Sequence, residues 1–352
     1  MYLAYGNSRA IICFKFSFMN MRMQFLFFIC ILPMLGCMLG SAQSTEAHDT
    51  VAAQDSTVDV IGWFEKGDTL DYWIQESGWK IGEKDTIMTS GVSSKVRIVV
   101  TDSTSKGYKM DYTFLDFRGD TLANSKMGQF QNYIVEKFGK KIMGTTVRFE
   151  TDEYGEITKF TNLSQIKKQA KSVFKDVMEE VFTLDEVKEM EEAGIDMKGM
   201  LKNVDADDLV EGYLEELKML FAYHGRSFKT GEYREHEDST ATSYECDTYT
   251  DVYKNSDDGT YEIISRAVNI IPKAGVKAFI GGIAGQYTDK TSEEIDKALD
   301  KVFDTDATYE DYLGMKYLGY GMPYDVLKQT TTKINGVGRV KQTYIYLDGI
   351  SD

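Results

Sequence analysis

A strict alternation of apolar and polar residues constrains the fold of this chain more than any other feature. Over positions 108–114, four apolar residues alternate with three polar ones: Tyr108, Met110, Tyr112 and Phe114 against Lys109, Asp111 and Thr113. Because successive side chains of a strand point to opposite faces, this two-residue period predicts a half-buried antiparallel strand. Val96, Ile98 and Val100 predict the strand before it, with a turn at 102–107. The chain is therefore expected to build on antiparallel hairpins.

Two further hairpins are predicted by the same combination of alternating segments and turn residues. The first runs through Val147–Phe149 and Ile157–Phe160, with Gly155 supplying a positive φ in the turn. The second spans Tyr249–Val268 and turns at 255–259. The segment from Gln329 to Leu347 is also strand-like and is interrupted at Asn335, Gly336 and Gly338. Strands therefore dominate both halves of the chain.

Helices are predicted between the two groups of strands. Residues 166–177 keep helical spacing of apolar side chains, and Thr183-Leu-Asp-Glu186 has the capping-box pattern of a helix that ends near Gly194. A third helix is predicted from about Asp205 to Tyr223, stopping at Gly225. The sequence thus predicts an α+β fold in which curved antiparallel β-sheets carry helices packed on one face.

Weak internal similarity suggests that this unit occurs twice. Phe228-Lys-Thr-Gly231 resembles Phe64-Glu-Lys-Gly67, and the spacing of Ile166, Val173 and Phe174 recurs at Ile295, Val302 and Phe303. We expect a first strand-meander and helix unit at 61–225 and a second at 226–352. The alternative is that amphipathic hairpins and helices resemble one another by chance.

The N-terminal segment has the organisation of a secretory signal. Arg22 precedes an apolar run from Phe25 to Leu39, and Gly40-Ser41-Ala42 offers a cleavage site before Gln43. We therefore expect a signal peptide at 1–42, a flexible leader at 43–60, and a protein that is periplasmic or associated with the outer membrane. A retained transmembrane anchor is the less favoured interpretation, because the run is short and contains Pro33.

A lipoprotein signal is a second alternative for the same segment. Met34-Leu-Gly-Cys37 resembles the bacterial lipobox, in which the cysteine is acylated and becomes the new N-terminus. Cys37 is therefore a candidate lipidation site. Cleavage at 42 would instead leave Cys246 alone, which excludes an intramolecular disulfide, and its alternating surroundings predict a thiol facing the core.

The charge balance argues against nucleic acid as a partner. The chain carries 40 basic and 56 acidic residues, and the first 42 residues contribute three bases and no acid, which leaves a net charge of −19 afterwards. Such a surface repels phosphate backbones and anionic headgroups.

No catalytic or metal-binding pattern stands out. His48, His224 and His236 lack metal-ligand spacing, and no GxSxG elbow is present. His224 beside Gly225 fits a cation at a helix C-terminus. The acidic pairs at 205–208 and 304–306 lack the glycine and the twelfth-position acid of an EF-hand. We therefore expect no cofactor and no metal, and favour a non-enzymatic protein, with a carboxylate-based hydrolase as the enzymatic alternative.

Two apolar features admit more than one interpretation. Trp63, Trp73 and Trp79 fall within 17 residues, and such aromatic side chains either fill the core or line a ligand site. Glycines interrupt an apolar stretch from Val276 to Ala284, which is either a flap over an apolar cavity or a close-packed turn.

Short Asp-Thr and Asp-Ser motifs link the chain to a group of exported proteins. They resemble the three-residue O-glycosylation sequon of Bacteroidetes and occur at Asp49, Asp55, Asp68, Asp85, Asp120 and Asp238. With the cleavage region at 40–43, the chain resembles uncharacterised periplasmic and surface proteins of that group. Its order of meander and helices is also similar to the lipoprotein-carrier-like β-cradles, in which a curved antiparallel sheet and helices enclose a lipid tail.

These observations predict a cell-envelope protein that binds a hydrophobic or amphiphilic, lipid-like ligand between sheet and helices. The alternative is an envelope protein-interaction or structural module with a solid core and no ligand.

Overall fold

A computed structural model describes residues 56–82, 84–119, 126–192, 206–239, 244–278, 291–302 and 305–350. The predicted signal peptide with Cys37, the leader up to residue 55, and the glycine-rich stretch from 279 onward lie outside the described residues.

The described chain consists of thirteen strands and five helices of eight or more residues, with one short helical segment at 273–278. The strands are β1 (Thr57–Asp59), β2 (Thr69–Ile81), β3 (Thr86–Thr104), β4 (Gly107–Gly119), β5 (Thr146–Thr151), β6 (Ile157–Phe160), β7 (Ser227–Lys229), β8 (Gly231–Glu237), β9 (Glu245–Lys254), β10 (Tyr261–Ile271), β11 (Ala307–Tyr317), β12 (Pro323–Ile334) and β13 (Val337–Leu347). The helices are α1 (Lys126–Ile142), α2 (Leu163–Val181), α3 (Asp185–Glu192), α4 (Ala206–Leu220) and α5 (Ser292–Val302).

Eleven strands form one open antiparallel sheet. Their order is β6-β5-β4-β3-β2-β13-β12-β11-β10-β9-β8, so β6 and β8 are its edges. The first long strand pairs with the last in the middle of the sheet, where Ile74 lies opposite Ile345. The antiparallel, helix-bearing architecture predicted from the sequence is confirmed. The two units predicted at 61–225 and 226–352 share this sheet, and their duplication stays a prediction.

Five register irregularities interrupt the sheet. Each leaves one residue without a partner in the register, and these residues are Thr89 and Thr101 on β3, Leu115 on β4, Thr158 on β6 and Tyr324 on β12. A β-bulge bends the strand that carries it and increases the local twist. These strands are therefore bent and more strongly twisted at the bulges.

Helices cover one side of the first half of the sheet. α1 packs on β4, where Gly139 allows the helix backbone to approach the Phe117 ring, and α2 packs against α1, α4 and β5. We call the helix-bearing side the inner face and the opposite side the outer face. α2 confirms the helix predicted from the spacing of residues 166–177.

The main core lies between these helices and the first half of the sheet. Tyr72, Ile98, Tyr112 and Phe149 are fully buried strand residues, and α4 contributes three buried leucines: Leu214, Leu217 and Leu220. Complete burial of one such side chain stabilises the fold by roughly 1.5–3 kcal/mol. This part of the protein is solidly packed.

The segment at 56–68 differs from the predicted leader, which was placed at 43–60. β1 pairs with β7, Val58 and Val60 are buried, and the Val60 amide donates to the carbonyl of Arg226 at 2.9 Å. Alternating apolar residues at 58 and 60 explain this, because they bury side chains that a solvated leader would leave in water. The ordered domain therefore begins by residue 56.

In each half of the sheet, a connection between two neighbouring strands contains a helix. α1 connects β4 to β5, and the region of α5 connects β10 to β11; both pairs of strands are antiparallel neighbours. The apolar spacing of α5 was matched in the sequence to α2, which instead follows β6. The two matched helices thus occupy different places in the strand order.

Candidate functional site

Charged side chains meet on the inner face at the centre of the sheet. Glu215 of α4 places its carboxylate 3.1 Å from the Lys328 amine of β12 and 4.0 Å from that of Lys341 on β13. Lys341 also lies 3.5 Å from the carboxylate of Glu76 on β2. We call Glu76, Glu215, Glu216, Lys328 and Lys341 the interior charge cluster. Together they join three strands to one helix.

The environment of the cluster shifts the pKa values of its two neighbouring glutamates, Glu215 and Glu216, in opposite directions. Burial acts to raise the pKa of Glu215, but Lys341 and Lys328 outweigh it and hold the pKa below its ordinary value. Burial and the negative charges of Glu76 and Glu215 raise the pKa of Glu216 to about 8. At neutral pH, Glu215 is therefore a carboxylate, and Glu216 is chiefly an uncharged acid that can donate a hydrogen bond.

A second acidic group lies two strands from Lys341. The Thr330 hydroxyl donates to the Asp311 carboxylate at 2.9 Å, and burial raises the pKa of Asp311. Burial, with the nearby Asp311 charge, also raises the pKa of Tyr309 to about 12. The inner face of β11 and β12 thus carries polar and charged groups beside the buried core residues Met315 and Val326.

Small polar side chains extend this region across β9 and β10. Thr250 lies opposite Ser265, Thr248 lies opposite Ala267, and all four side chains are half-buried. We call these four residues the polar band. Leu313 continues the band on β11, where it lies opposite Ser265.

The polar band separates two apolar zones of the inner face. On one side, Val252, Ile263 and Met315 belong to the main core. On the other side, Cys246 and Ala307 are buried inner-face residues outside that core. Val276, Ile295 and Leu299 are further buried apolar residues outside it, on helical segments. Burial raises the pKa of the Cys246 thiol, in keeping with the predicted core-facing cysteine. A strip of small residues therefore separates the two apolar zones.

The three tryptophans do not line this region. Trp73 lies between the buried residues Tyr72 and Ile74 and therefore points to the outer face, where Lys95 and Arg118 lie over its ring at 5.5 and 5.2 Å. Trp79 also lies on the outer face, and Trp63 is 66% exposed in the segment before β2. A ligand held between sheet and helices would not contact Trp73 or Trp79.

The histidines also have separate environments. His236 is exposed and lies 2.8 Å from Asp247, whereas His224 is buried among aromatic rings. Burial lowers the pKa of His224 to about 4, so it is neutral and not the helix-terminal cation expected from the sequence. Within the described ranges, His, Cys, Asp and Glu side chains form no group of three that could hold a metal ion.

Comparison with known proteins gives little to assign the chain. No family model matches it. Curated proteins give no match either. Among solved structures, a weak similarity is to a structure described as lipid–protein interactions in lipovitellin, with a TM-score of 0.38 and 9% identity. The match covers 82% of this chain and 26% of the lipovitellin chain, so this chain spans about a quarter of its length. In the described part of this chain, no helix is long and apolar enough to cross a bilayer.

The alternation of side chains along a strand is the signal that could have revealed the interior charge cluster. Lys328 lies two residues after the buried Val326, and Lys341 lies four residues before the buried Ile345. Both lysines therefore point to the same inner face as these buried residues. Glu215 and Glu216 lie between the buried Leu214 and Leu217 of one helical turn. An inward charge needs a partner of opposite sign, but the sequence does not identify which one.

Replacing Lys328 with methionine is expected to lower the free energy of unfolding by about 2 kcal/mol. Removing one partner of a buried pair costs about 3–5 kcal/mol, and the partial exposure of this pair, 22% and 27%, reduces that cost. The measurement is urea unfolding, with a titration of Glu215 by NMR, whose pKa should rise. Lys333→Met, on an exposed position of the same strand, is the matched control and should change the stability by under about 0.5 kcal/mol. Equal effects of the two variants would show that the cluster does not stabilise the fold.

Proposed function

We propose that this is a non-enzymatic, exported protein of the cell envelope that binds a hydrophobic or amphiphilic, lipid-like ligand on the inner face of the sheet. The observation that carries the proposal is the polar band between two apolar zones. Ligand sites combine apolar walls with a few placed polar groups, and this part of the sheet has both.

The two ends of an amphiphile find different surroundings here. An acyl chain lying across the strands packs against Leu313 and the apolar side chains beside the band. The small side chains of Ala267 and Ser265 support this placement, because a large side chain at either position would block a ligand that lies across the strands. A polar headgroup reaches Lys328 and Asp311 at the edge of the interior charge cluster.

Export and the membrane-proximal setting remain proposals that rest on the segment at 1–42. The arrangement of one large antiparallel sheet with helices on one face supports the similarity to β-cradles at the level of architecture. Bulges in β3, β4, β6 and β12 supply bends that a cradle requires.

Native mass spectrometry of the protein purified gently from its host envelope tests this proposal. We expect a removable mass in the lipid range before organic extraction and a bare polypeptide after it. Ala267→Phe fills the polar band and should abolish the removable mass. Val268→Phe is the matched control, because the next residue of β10 faces outward, and it should retain the mass.

A bare polypeptide under both conditions would overturn ligand binding. The packed main core favours the alternative in that case, since its leucines on α4 are at most 1% exposed. The protein would then be an interaction or structural module. A stoichiometric protein partner recovered from envelope extracts would support that function.

A further inference from the structure

A groove crosses the outer face of the sheet on β2, β3 and β13. Its volume is about 340 Å³, near the lower end of the roughly 300–1,000 Å³ typical of small-molecule sites. We call it the outer groove. Its outward-facing lining residues are Gln75, Ser77, Trp79, Met88, Gly91, Ser93, Gln342 and Tyr344.

The register of three strands forms the groove. Gln75 lies opposite Ser93 on one side and Tyr344 on the other, and Ser77 lies opposite Gly91 and Gln342. Gly91 places no side chain between Ser77 and the surface, which leaves a depression in the sheet. Aromatic rings from Trp79 and Tyr344 flank the polar centre. The groove is therefore an alternation of flat apolar surface and hydrogen-bonding groups.

Several polar side chains of the outer groove are available to form hydrogen bonds with a ligand. In the part of the chain that the structure describes, the side chains of Gln342 and Ser93 make no hydrogen bond. Gln75 reaches the Tyr346 hydroxyl at 3.5 Å, which is long for a hydrogen bond. Each Gln amide offers both donors and an acceptor, and each Ser hydroxyl offers one donor and accepts. Such groups suit a ligand that carries many hydroxyls.

The charge of the groove selects against ionic ligands. Its one charged lining residue is Glu76, whose carboxylate is directed to Lys341 on the inner face at 3.5 Å. No lysine or arginine lines the groove to bind an anionic group, and the acidic chain as a whole repels anions. An acyl chain is also a poor occupant, because it would bury Gln75, Gln342 and Ser93 without hydrogen-bond partners.

We propose that the outer groove binds a neutral oligosaccharide. The rings of Trp79 and Tyr344 pack against the apolar C–H faces of sugar residues, while Gln75, Gln342 and Ser93 exchange hydrogen bonds with the hydroxyls. This site is on the opposite face from the proposed lipid site and is independent of it.

Calorimetric titration tests the proposal with four neutral hexasaccharides: cellohexaose, maltohexaose, xylohexaose and mannohexaose. We expect the protein purified from its host to bind at least one of them, with quenching or enhancement of tryptophan fluorescence. Trp79→Ala should weaken that binding at least tenfold, and Gln342→Ala should weaken it severalfold. Trp63→Ala is the matched control, since Trp63 lies outside the groove, and its affinity should equal that of the unmodified protein.

Three results would overturn the proposal. The first is that none of the four sugars binds at millimolar concentration. The second is that Trp63→Ala weakens binding as much as Trp79→Ala does. The third is that Gln342→Ala, a surface change in a half-buried side chain, leaves the affinity unchanged while the variant keeps the circular dichroism spectrum of the unmodified protein. The last variant keeps the test valid if Trp79→Ala fails to fold.

Discussion

Replacing Gly321 with alanine is expected to lower the free energy of unfolding by about 3 kcal/mol, which is among the larger effects of a single substitution. Gly321 lies in the turn between β11 and β12 with φ +85°, a conformation that L side chains rarely adopt. A methyl group there would overlap the carbonyl oxygen of Ile61. Because that oxygen belongs to the backbone, the turn and the segment at 56–68 must separate.

Gly336→Ala provides the matched control for this prediction. Gly336 also has a positive φ, +76°, but its added methyl group would meet nothing within 4 Å. That variant should lose about 1 kcal/mol from backbone strain alone. Urea unfolding followed by circular dichroism measures both. If the two variants lose the same stability, the contact between the turn and the N-terminal segment does not contribute to the fold.

Stability is expected to fall as the pH decreases from 6.5 to 4, with roughly 3 kcal/mol of the loss due to His224. Burial among the rings of Phe64, Phe221 and Tyr317 lowers the pKa of His224 from 6.5 to about 4, and only nearby carbonyls and the charge of Asp152 oppose this. The unfolded chain therefore binds a proton in this range that the folded chain does not. The stabilising contribution is complete above pH 6.5 and is lost as the pH falls, at 1.36 kcal/mol per unit of pKa difference.

His224→Gln separates this contribution from the titration of the many carboxylates. The amide does not titrate, so the stability difference between the two proteins should shrink by about 3 kcal/mol between pH 7 and pH 4. His236→Gln is the control. Asp247, and then Asp238, raise the pKa of the exposed His236, so its contribution has the opposite sign and is lost as the pH rises. A stability difference for His224→Gln that does not change with pH would show that the pKa of His224 is the same in the folded and the unfolded protein.

Local pattern in the sequence was sufficient for the hairpins and most helices. The alternation at 108–114 became β4, and the predicted turn at 102–107 lies at the β3–β4 connection. Gly155 has φ +95°, as its turn requires, and Asn335 and Gly336 form the β12–β13 turn with positive φ. These features depend on residues within a few positions of one another, so the sequence displays them directly.

The order of the sheet and the interior charge cluster could not be obtained in this way. The β2–β13 pairing joins residues as distant as Ile74 and Ile345, and no local pattern specifies it. Glu215 meets Lys328 only because that pairing brings β12 beneath α4. Helix α1 was not predicted, although Phe130, Ile134, Phe138 and Ile142 keep helical spacing, and Gly128 and Gly139 lower its helix propensity. Gly139 has a packing reason that appears once Phe117 is seen beside it.

The central position of β13 sets the order in which the protein can be completed. β2 is synthesised near the start of the described chain. Its second edge stays unpaired until the eleven residues of β13 have been synthesised. Until then, the two halves present unpaired strand edges at β2 and β12, which are the surfaces on which other chains associate. Contacts of such large sequence separation also form slowly. The nascent chain therefore depends most on protection from aggregation just before its last strand is synthesised.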